Sequence, residues 1–424
     1  MRVAVVGAGI VGVTTAYELA AEGHEVTVFE RRAGVASESS FANAGVLAPG
    51  YVTPWAAPGM PSKVLRHLLG AHAPVRLRAG AWGRLPWIWR WWRACRPAAY
   101  TANRAAMLQL ARFSQQRLAL LTHAMRLDYE QHAGVLVLLR GQRELAQARP
   151  GLKLLAELGV AFELLDGERA RAVEPGLNAD TALRAAIHLP HDRVGNCRQF
   201  AQLLKTQAQR RGAVFRFDAD VVRLEPGARP NVVCGPDQLP FDAVVVATGV
   251  ESNRLLRPLG LGLPLAPVHG YSVTAPLRHV EGHPDLGPRS AVMDERYKVA
   301  VSRLGQRVRV AGSAELGGRA DAFDAGALRT LYRVLDDWYP GAAVIQHAQR
   351  WKGARPMLPD GPPVLGASGA PGIWLNLGHG SSGWALACGS ARVLADAIAG
   401  RAPPLDVARL GIARLRESGR QSGA

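Results

Sequence analysis

Residues 1–30 constrain the fold of this chain more than any other stretch. They run Met1-Arg-Val3-Ala-Val-Val6-Gly7-Ala8-Gly9-Ile10-Val11-Gly12, then an apolar-periodic segment to Gly23, then His24-Glu-Val-Thr-Val-Phe-Glu30. An apolar run ends in a glycine, the glycines keep GxGxxG spacing, a helix pattern follows, and a second Val-rich run ends in an acid. That is a βαβ dinucleotide fingerprint in its full context. Gly7 permits the tight turn, Gly9 lets a pyrophosphate approach bare backbone, and Gly12 lets the helix pack close to the strands. The phosphates then meet N–H groups at the positive end of a helix. Glu30 lies 18 residues after Gly12 and is placed to accept hydrogen bonds from an adenosine ribose. Glu30 argues against a 2′-phosphate and leaves FAD and NAD both open.

A chain of 424 residues, 48% hydrophobic and 20% charged, is long and apolar enough for a folded protein of two or three domains, by the rough rule of one per 100–200 residues. Its cysteines (Cys95, Cys197, Cys234, Cys388) are far apart and form no CxxC, which excludes a disulfide framework, a zinc knuckle and a dithiol redox pair, so no metal is expected. A reducing cytoplasm fits. Glu18 interrupts the N-terminal apolar stretch, and cleavage there would destroy the fingerprint, so a signal peptide is rejected. No apolar run is long enough to span a bilayer.

The net charge of +17 is carried almost wholly by arginine, since only five residues are lysine. Two readings stand side by side: a composition bias with scattered arginine, or a basic face for an anionic partner. No nucleic-acid module is present, so nucleic acid is not expected, and an anionic membrane surface is the better candidate. Residues 82–93 sharpen this. They read Trp82-Gly-Arg-Leu-Pro-Trp87-Ile-Trp89-Arg-Trp91-Trp92-Arg93, with half of the ten tryptophans interleaved with arginine. Trp favours the membrane interface and Arg reaches anionic headgroups, whereas a buried aromatic cluster with snorkelling arginines is the equal alternative.

Further along, residues 36–61 are Gly-, Pro-, Ala- and Ser-rich and predict a long functional loop. Helices are predicted over 104–125, 143–159 and 198–211, and strands over Val135–Leu139 and Val214–Phe217. Phe241-Asp-Ala-Val-Val-Val-Ala-Thr248-Gly249 reads as a strand buried on both faces, turning sharply at the carboxyl edge where ligands bind in open α/β sheets. From 264 to 350 the texture changes. Lys298–Arg303 and Arg307–Ala311 around Gly305 predict an antiparallel hairpin. Near the end, a strand at Ile373–Leu377 leads into Gly378-His379-Gly380-Ser-Ser-Gly383 and a helix from Trp384 to Ala399. No acid-terminated strand follows, so this second GxGxxG predicts a helix N-terminus aimed into the first site. The nucleotide-binding pieces thus come from the start, middle and end of the chain, a layout that favours FAD over NAD. The expected fold is α/β: a Rossmann-like FAD-binding domain (1–95 with 190–262 and 351–415), an interleaved substrate domain on a mostly antiparallel sheet (96–189 and 263–350), and a polar tail (416–424).

With these pieces placed, the chain resembles the FAD-dependent amine oxidoreductases of the D-amino acid oxidase superfamily, and within it the bacterial D-amino acid dehydrogenases of the small-subunit type. The resemblance covers nearly the whole chain. It rests on Phe41-Ala-Asn43-Ala44-Gly45, Pro49-Gly-Tyr51, Pro54-Trp-Ala-Ala-Pro-Gly59, Gly270-Tyr271-Ser, Asp294-Glu-Arg-Tyr297-Lys-Val-Ala, Arg355-Pro-Met-Leu-Pro-Asp360-Gly, and Gly378-His-Gly380 with Ala387-Cys388-Gly. Val46, His269 and Asn196 depart from the family pattern, which bears on substrate range more than on reaction.

The resemblance implies oxidation of a D-amino acid. Hydride leaves Cα for flavin N5, and water hydrolyses the imine to a 2-oxo acid and ammonia; a quinone or another acceptor than oxygen takes the electrons. It also implies Arg355 as the carboxylate clamp, with Tyr271 and Tyr297 as candidates for lining the pocket or hydrogen-bonding the carboxylate. The cofactor set is Val3, Val6, Gly7, Ala8, Gly9, Ile10, Val11, Gly12, Glu30, Arg31, Asn43, Ala44, Gly45, Val221, Thr248, Gly249, Gly378, His379, Gly380 and Gly383. His379 either contacts the flavin or packs in its turn. No general base is nominated. The alternatives within the superfamily are D-hydroxyproline or D-proline dehydrogenases and glycine or sarcosine oxidases. The expected location is the cytoplasm, with the inner face of the cell membrane as the site of any lipid contact.

Overall fold

The protein is described from a computed structural model covering residues 1–67, 73–282 and 286–415; the polar tail expected at 416–424 lies outside the described residues. The fingerprint folds as its sequence requires. Strand Arg2–Val6, helix Ile10–Ala21 and strand Glu25–Phe29 form a parallel βαβ unit. The helix ends in a Schellman closure, with Gly23 at φ +80° and the His24 N–H returning to the Leu19 carbonyl.

This unit sits in a six-stranded sheet ordered Val364–Ala367, Ile373–Leu377, Ala243–Val246, Arg2–Val6, Glu25–Phe29, Val214–Arg216. All neighbours are parallel except the first pair. The start, middle and end of the chain therefore meet side by side. Ala243–Val246 is buried at every residue, as its unbroken apolar run demands.

Helices Ile10–Ala21, Cys197–Arg210, Pro97–Met125 and Gly383–Ile398 pack over this sheet in one core. The long helix starts earlier than the apolar periodicity indicates, because Pro97 fits the first helical position, where no amide hydrogen is needed. Gly389 brings the last helix against it; a Cβ there would lie 2.8 Å from Ser114 Cβ. Glu18, fully buried, is held by Arg117 (2.7 Å) and Arg392 (3.1 Å), so one carboxylate ties three helices together.

A ten-stranded sheet forms the second layer. It is mixed. The hairpin Val299–Leu304 with Arg307–Leu316 is antiparallel, as are most of its pairs, but Ala291–Asp294 runs parallel to Val135–Leu138 and Val75–Leu77 parallel to Ala314–Leu316. Strands Val46–Leu47, Val75–Leu77 and Gln349–Met357 all belong to this sheet, although 1–95 and 351–415 were expected with the nucleotide. A strand joins whichever edge its backbone can pair with, and composition does not report that edge. Helix Ala325–Trp338 covers one face of the sheet and helix Gln142–Glu157 part of the other. The loop at 36–61 is partly structured, by Val46–Leu47, a 3-10 turn at Pro49–Tyr51 and the start of helix Met60–His67.

Candidate active site

A cavity of about 1020 Å³ runs between the two sheets, beyond the carboxyl ends of Arg2–Val6 and Ala243–Val246. That is at the upper end of the roughly 300–1,000 Å³ usual for small-molecule and cofactor sites. At one end the glycines build a cradle. Gly7, at φ +102°, passes so close to the next strand that a Cβ would lie 2.7 Å from the Ala247 carbonyl oxygen, and a Cβ on Gly12 would lie 1.8 Å from the Gly7 carbonyl oxygen. Gly9 caps the helix in extended conformation with no side-chain cap of its own, and Ile10 N–H donates to Ser40 Oγ at 3.1 Å.

Val6, Gly7, Gly9, Ile10, Val11, Glu30, Arg31, Val221, Thr248 and Gly249 line this end. Three of the expected cofactor residues do not. Val3 is buried in the strand core, Ala8 is fully buried with its N–H on Glu30 Oε2 at 2.7 Å, and Gly12 lies behind the turn against Gly7. Strand alternation and the second layer of the turn put them there. Glu30 also accepts from Arg32 N–H at 2.9 Å, which fixes its carboxylate at the strand end.

The middle of the cavity is the loop Asn43-Ala44-Gly45. Gly45 (φ +75°) donates its N–H to Asn43 Oδ1 at 3.0 Å, Ser302 Oγ donates to the Ala44 carbonyl at 2.8 Å, and Arg309 Nη1 donates to the Asn43 carbonyl at 3.0 Å. Opposite, Gly378, His379, Gly380 and Gly383 line the cavity and open helix Gly383–Ile398, whose cap has no side-chain hydrogen bond. Burial pushes the His379 pKa down to about 3, and its Nε2 sits 2.9 Å from Ser390 Oγ. The ring therefore reaches into helix Gly383–Ile398, while the residue also lines the cavity.

At the far end stands Arg355. Its Nη1 donates to the Ser313 carbonyl at 2.8 Å and its guanidinium lies 5.7 Å from the Trp55 ring centre. No carboxylate pairs with it among the described residues, and burial alone pulls its pKa down to about 10. Gly270 makes room for it, since a Cβ there would lie 2.4 Å from Nη2.

Tyr271 lines the cavity, but its hydroxyl donates to Glu315 Oε2 at 2.8 Å, and Glu315 is in turn held by Lys352 at 2.7 Å. Tyr297 does not line the cavity. It lies in a turn with Arg140 and Arg333 over its ring at 5.1 and 5.6 Å, packed toward the opposite face of the sheet. Its neighbours in the same string take the place expected of it. Glu295 and Lys298 reach the cavity, where Tyr51 Oη donates to Glu295 Oε2 at 2.9 Å and Lys298 ion-pairs with Glu295. The signal for them was the Asp294–Ala300 string itself; Ser313 and Ser40 carried none.

The segment 82–93 divides by helical phase. In helix Leu85–Ala94, Trp87 is buried with its Nε1 on the Met357 carbonyl at 3.0 Å, and Trp91 packs beside it. Trp82, Trp89 and Trp92 are 76%, 56% and 48% exposed, so part of the cluster is core and part faces solvent. No helix among the described residues is long and apolar enough to cross a membrane.

The cradle fits a flavin dinucleotide: bare glycine backbone and a helix start at one end, an acid at the next strand end, and a cavity continuing past the 43–45 loop. Comparison with known proteins agrees. A family model described as FAD dependent oxidoreductase matches residues 2–397. A D-amino acid dehydrogenase of Cereibacter sphaeroides is 44% identical, over 100% of this chain and 97% of its own. One of Bradyrhizobium diazoefficiens is 41% identical, over 98% and 99%. Among solved structures, glycine oxidase from Geobacillus kaustophilus superposes with a TM-score of 0.73 at 22% identity, covering 97% of this chain and 98% of that one. L-proline dehydrogenase from P. horikoshii gives 0.75 at 18% identity, covering 98% of each. These two share the fold.

Proposed function

The chain belongs to the FAD dependent oxidoreductase family, and on that premise we propose that it oxidatively deaminates D-amino acids to 2-oxo acids and ammonia. The observation that carries this is Arg355: a guanidinium drawn out of water onto the cavity wall with no carboxylate among the described residues to meet it. An uncompensated buried cation is costly, and a substrate carboxylate relieves it through two parallel charge-assisted hydrogen bonds. Bound FAD supplies the sink for the Cα hydride. The protein binds, orients and excludes water. Arg355 fixes the carboxylate, Trp55 and Tyr271 wall the chamber, and the 43–45 loop, pinned by Ser302 and Arg309, sets the surface against which Cα is presented. Glu295 is engaged by Lys298 and Tyr51, so no side chain is assigned as general base; the substrate amine reacts in its neutral form. The cradle residues that line the cavity hold the nucleotide, and the ten-stranded sheet serves as the substrate-binding layer.

The same reading gives the acceptor as a quinone or other non-oxygen species, met at an anionic membrane. Exposed Trp89 and Trp92, stacked at 5.1 Å, and Trp82 support this, with Arg84, Arg90 and Arg93 on the same segment. Flotation with phosphatidylglycerol vesicles, and not with phosphatidylcholine vesicles, is expected; absence of both removes the membrane contact. For the reaction, incubation with D-alanine and an artificial acceptor is expected to yield equimolar pyruvate and ammonia, with L-alanine inert. Turnover confined to D-proline or glycine would move the substrate; no turnover of any amine would refute the reading.

A further inference from the structure

Arg355 lies on strand Gln349–Met357, next to Ala266–Pro276, which in turn pairs with Arg307–Leu316. The register of that last pair breaks beside the cavity. His269 faces Glu315 and Tyr271 faces Gly312, so Ser313 and Ala314 together stand opposite the single Gly270. This is a β-bulge, a device that re-aims groups next to active sites.

Ser313 carries the bulge in an unusual way. Its φ is +61°, the left-handed region that a glycine occupies freely and a serine does not. That turn points its carbonyl onto Arg355 Nη1 at 2.8 Å. Ser313 lines the cavity, yet its Oγ is shut off from solvent with no hydrogen-bond partner. A strained backbone and an unmet hydroxyl at one residue are two separate costs, and such costs persist where a site is organised around a ligand. Glycine at 313 would remove both.

We propose that Ser313 Oγ, turned into the cavity by rotation about χ1 when a ligand arrives, is a second donor to the carboxylate that Arg355 binds, and that the bulge at Gly270–Ser313 sets hydroxyl and guanidinium around one carboxylate. The ligand class is a monocarboxylate: the amino acid substrate or its 2-oxo acid product. This rests on the deamination reading for the substrate, but the carboxylate site is testable without turnover.

The test uses the FAD-loaded enzyme, with benzoate as probe and its dissociation constant read from the perturbed flavin spectrum. Ser313→Ala removes the hydroxyl. Ser313→Gly removes the hydroxyl and relieves the left-handed strain, so it keeps the fold if the alanine variant does not. Loss of one charge-assisted hydrogen bond is expected to weaken benzoate about 10- to 100-fold in both variants, and to raise the KM for D-alanine more than it lowers kcat. Benzoate binding within twofold of wild type in both would overturn the proposal. So would recovery of affinity in the glycine variant alone, because strain and not the hydroxyl would then be the active feature. If the wild type binds benzoate in a Ser313-dependent way but leaves every D-amino acid untouched, the carboxylate site stands and the substrate reading fails.

Discussion

Replacing Arg355 by Met should move function and stability in opposite directions. A bidentate guanidinium–carboxylate contact contributes two charge-assisted hydrogen bonds, about 1.5–3 kcal/mol each. Their loss corresponds to roughly 3–6 kcal/mol, or about 10²- to 10⁴-fold at 1.36 kcal/mol per decade. The ligand-free fold should not suffer. The Arg355 pKa is pulled down to about 10 by burial, with no partner charge among the described residues to offset it. A base whose pKa is lowered on folding destabilises the folded state wherever it is charged, which here means throughout the physiological range. Methionine removes that burden and leaves an unbranched apolar side chain beside the Trp55 ring. Measured on FAD-loaded protein, kcat/KM for D-alanine should fall at least 100-fold while the thermal midpoint stays level or rises. Benzoate should raise the midpoint of wild type and not of the variant. Arg355→Lys should recover little, since an ammonium cannot present the planar fork. A loss under tenfold, or a loss accompanied by a lower midpoint and weakened FAD binding, would refute the argument by showing Arg355 to be structural.

Three further outcomes test other parts of the structure. Gly12→Ala places a Cβ 1.8 Å from the Gly7 carbonyl oxygen, so the turn must open; FAD affinity of the refolded variant should drop more than about tenfold, and normal FAD content would contradict the cradle. Glu18→Gln leaves Arg117 and Arg392 without their shared carboxylate and should cost about 3–5 kcal/mol in urea unfolding; under 1 kcal/mol would show the triad to be dispensable. Asp192, buried with Oδ2 unpartnered, has its pKa raised to about 7 by burial. The folded state thus binds more protons than the unfolded one between about pH 4 and 7, and stability falls as pH rises through that window. Asp192→Asn should be more stable than wild type at pH 8, by at most about 4 kcal/mol, with the difference vanishing near pH 4; a pH-independent difference would contradict this.

The fingerprint was readable because everything that shapes it is local: a strand, a turn of three glycines and a helix within the first 21 residues. The buried strand Ala243–Val246 was readable for the same reason. Arg355 came from a motif, since its surroundings are Gly270, Ser313 and Trp55, which register and loop path bring to it across long stretches of chain. No periodicity reports such meetings, and the bulge that turns Ser313 onto Arg355 is invisible until the strands are paired. Tyr297 lies off the cavity for a related reason. The string Glu295–Lys298 forms a turn, Lys298 adopts φ +53°, and the aromatic ring swings away from the cavity while Glu295 and Lys298 enter it. The tryptophan cluster looked like a choice between core and surface and is both, because a helix shows Trp87 and Trp91 to one side and Trp89 and Trp92 to another.

The most direct test of the account is an anaerobic absorbance titration of the purified, FAD-loaded protein, first with L-alanine and then with D-alanine. The visible flavin band should be unchanged by L-alanine and bleached by D-alanine at stoichiometric amounts. Bleaching by neither, with the flavin band present and reducible by dithionite, would contradict it.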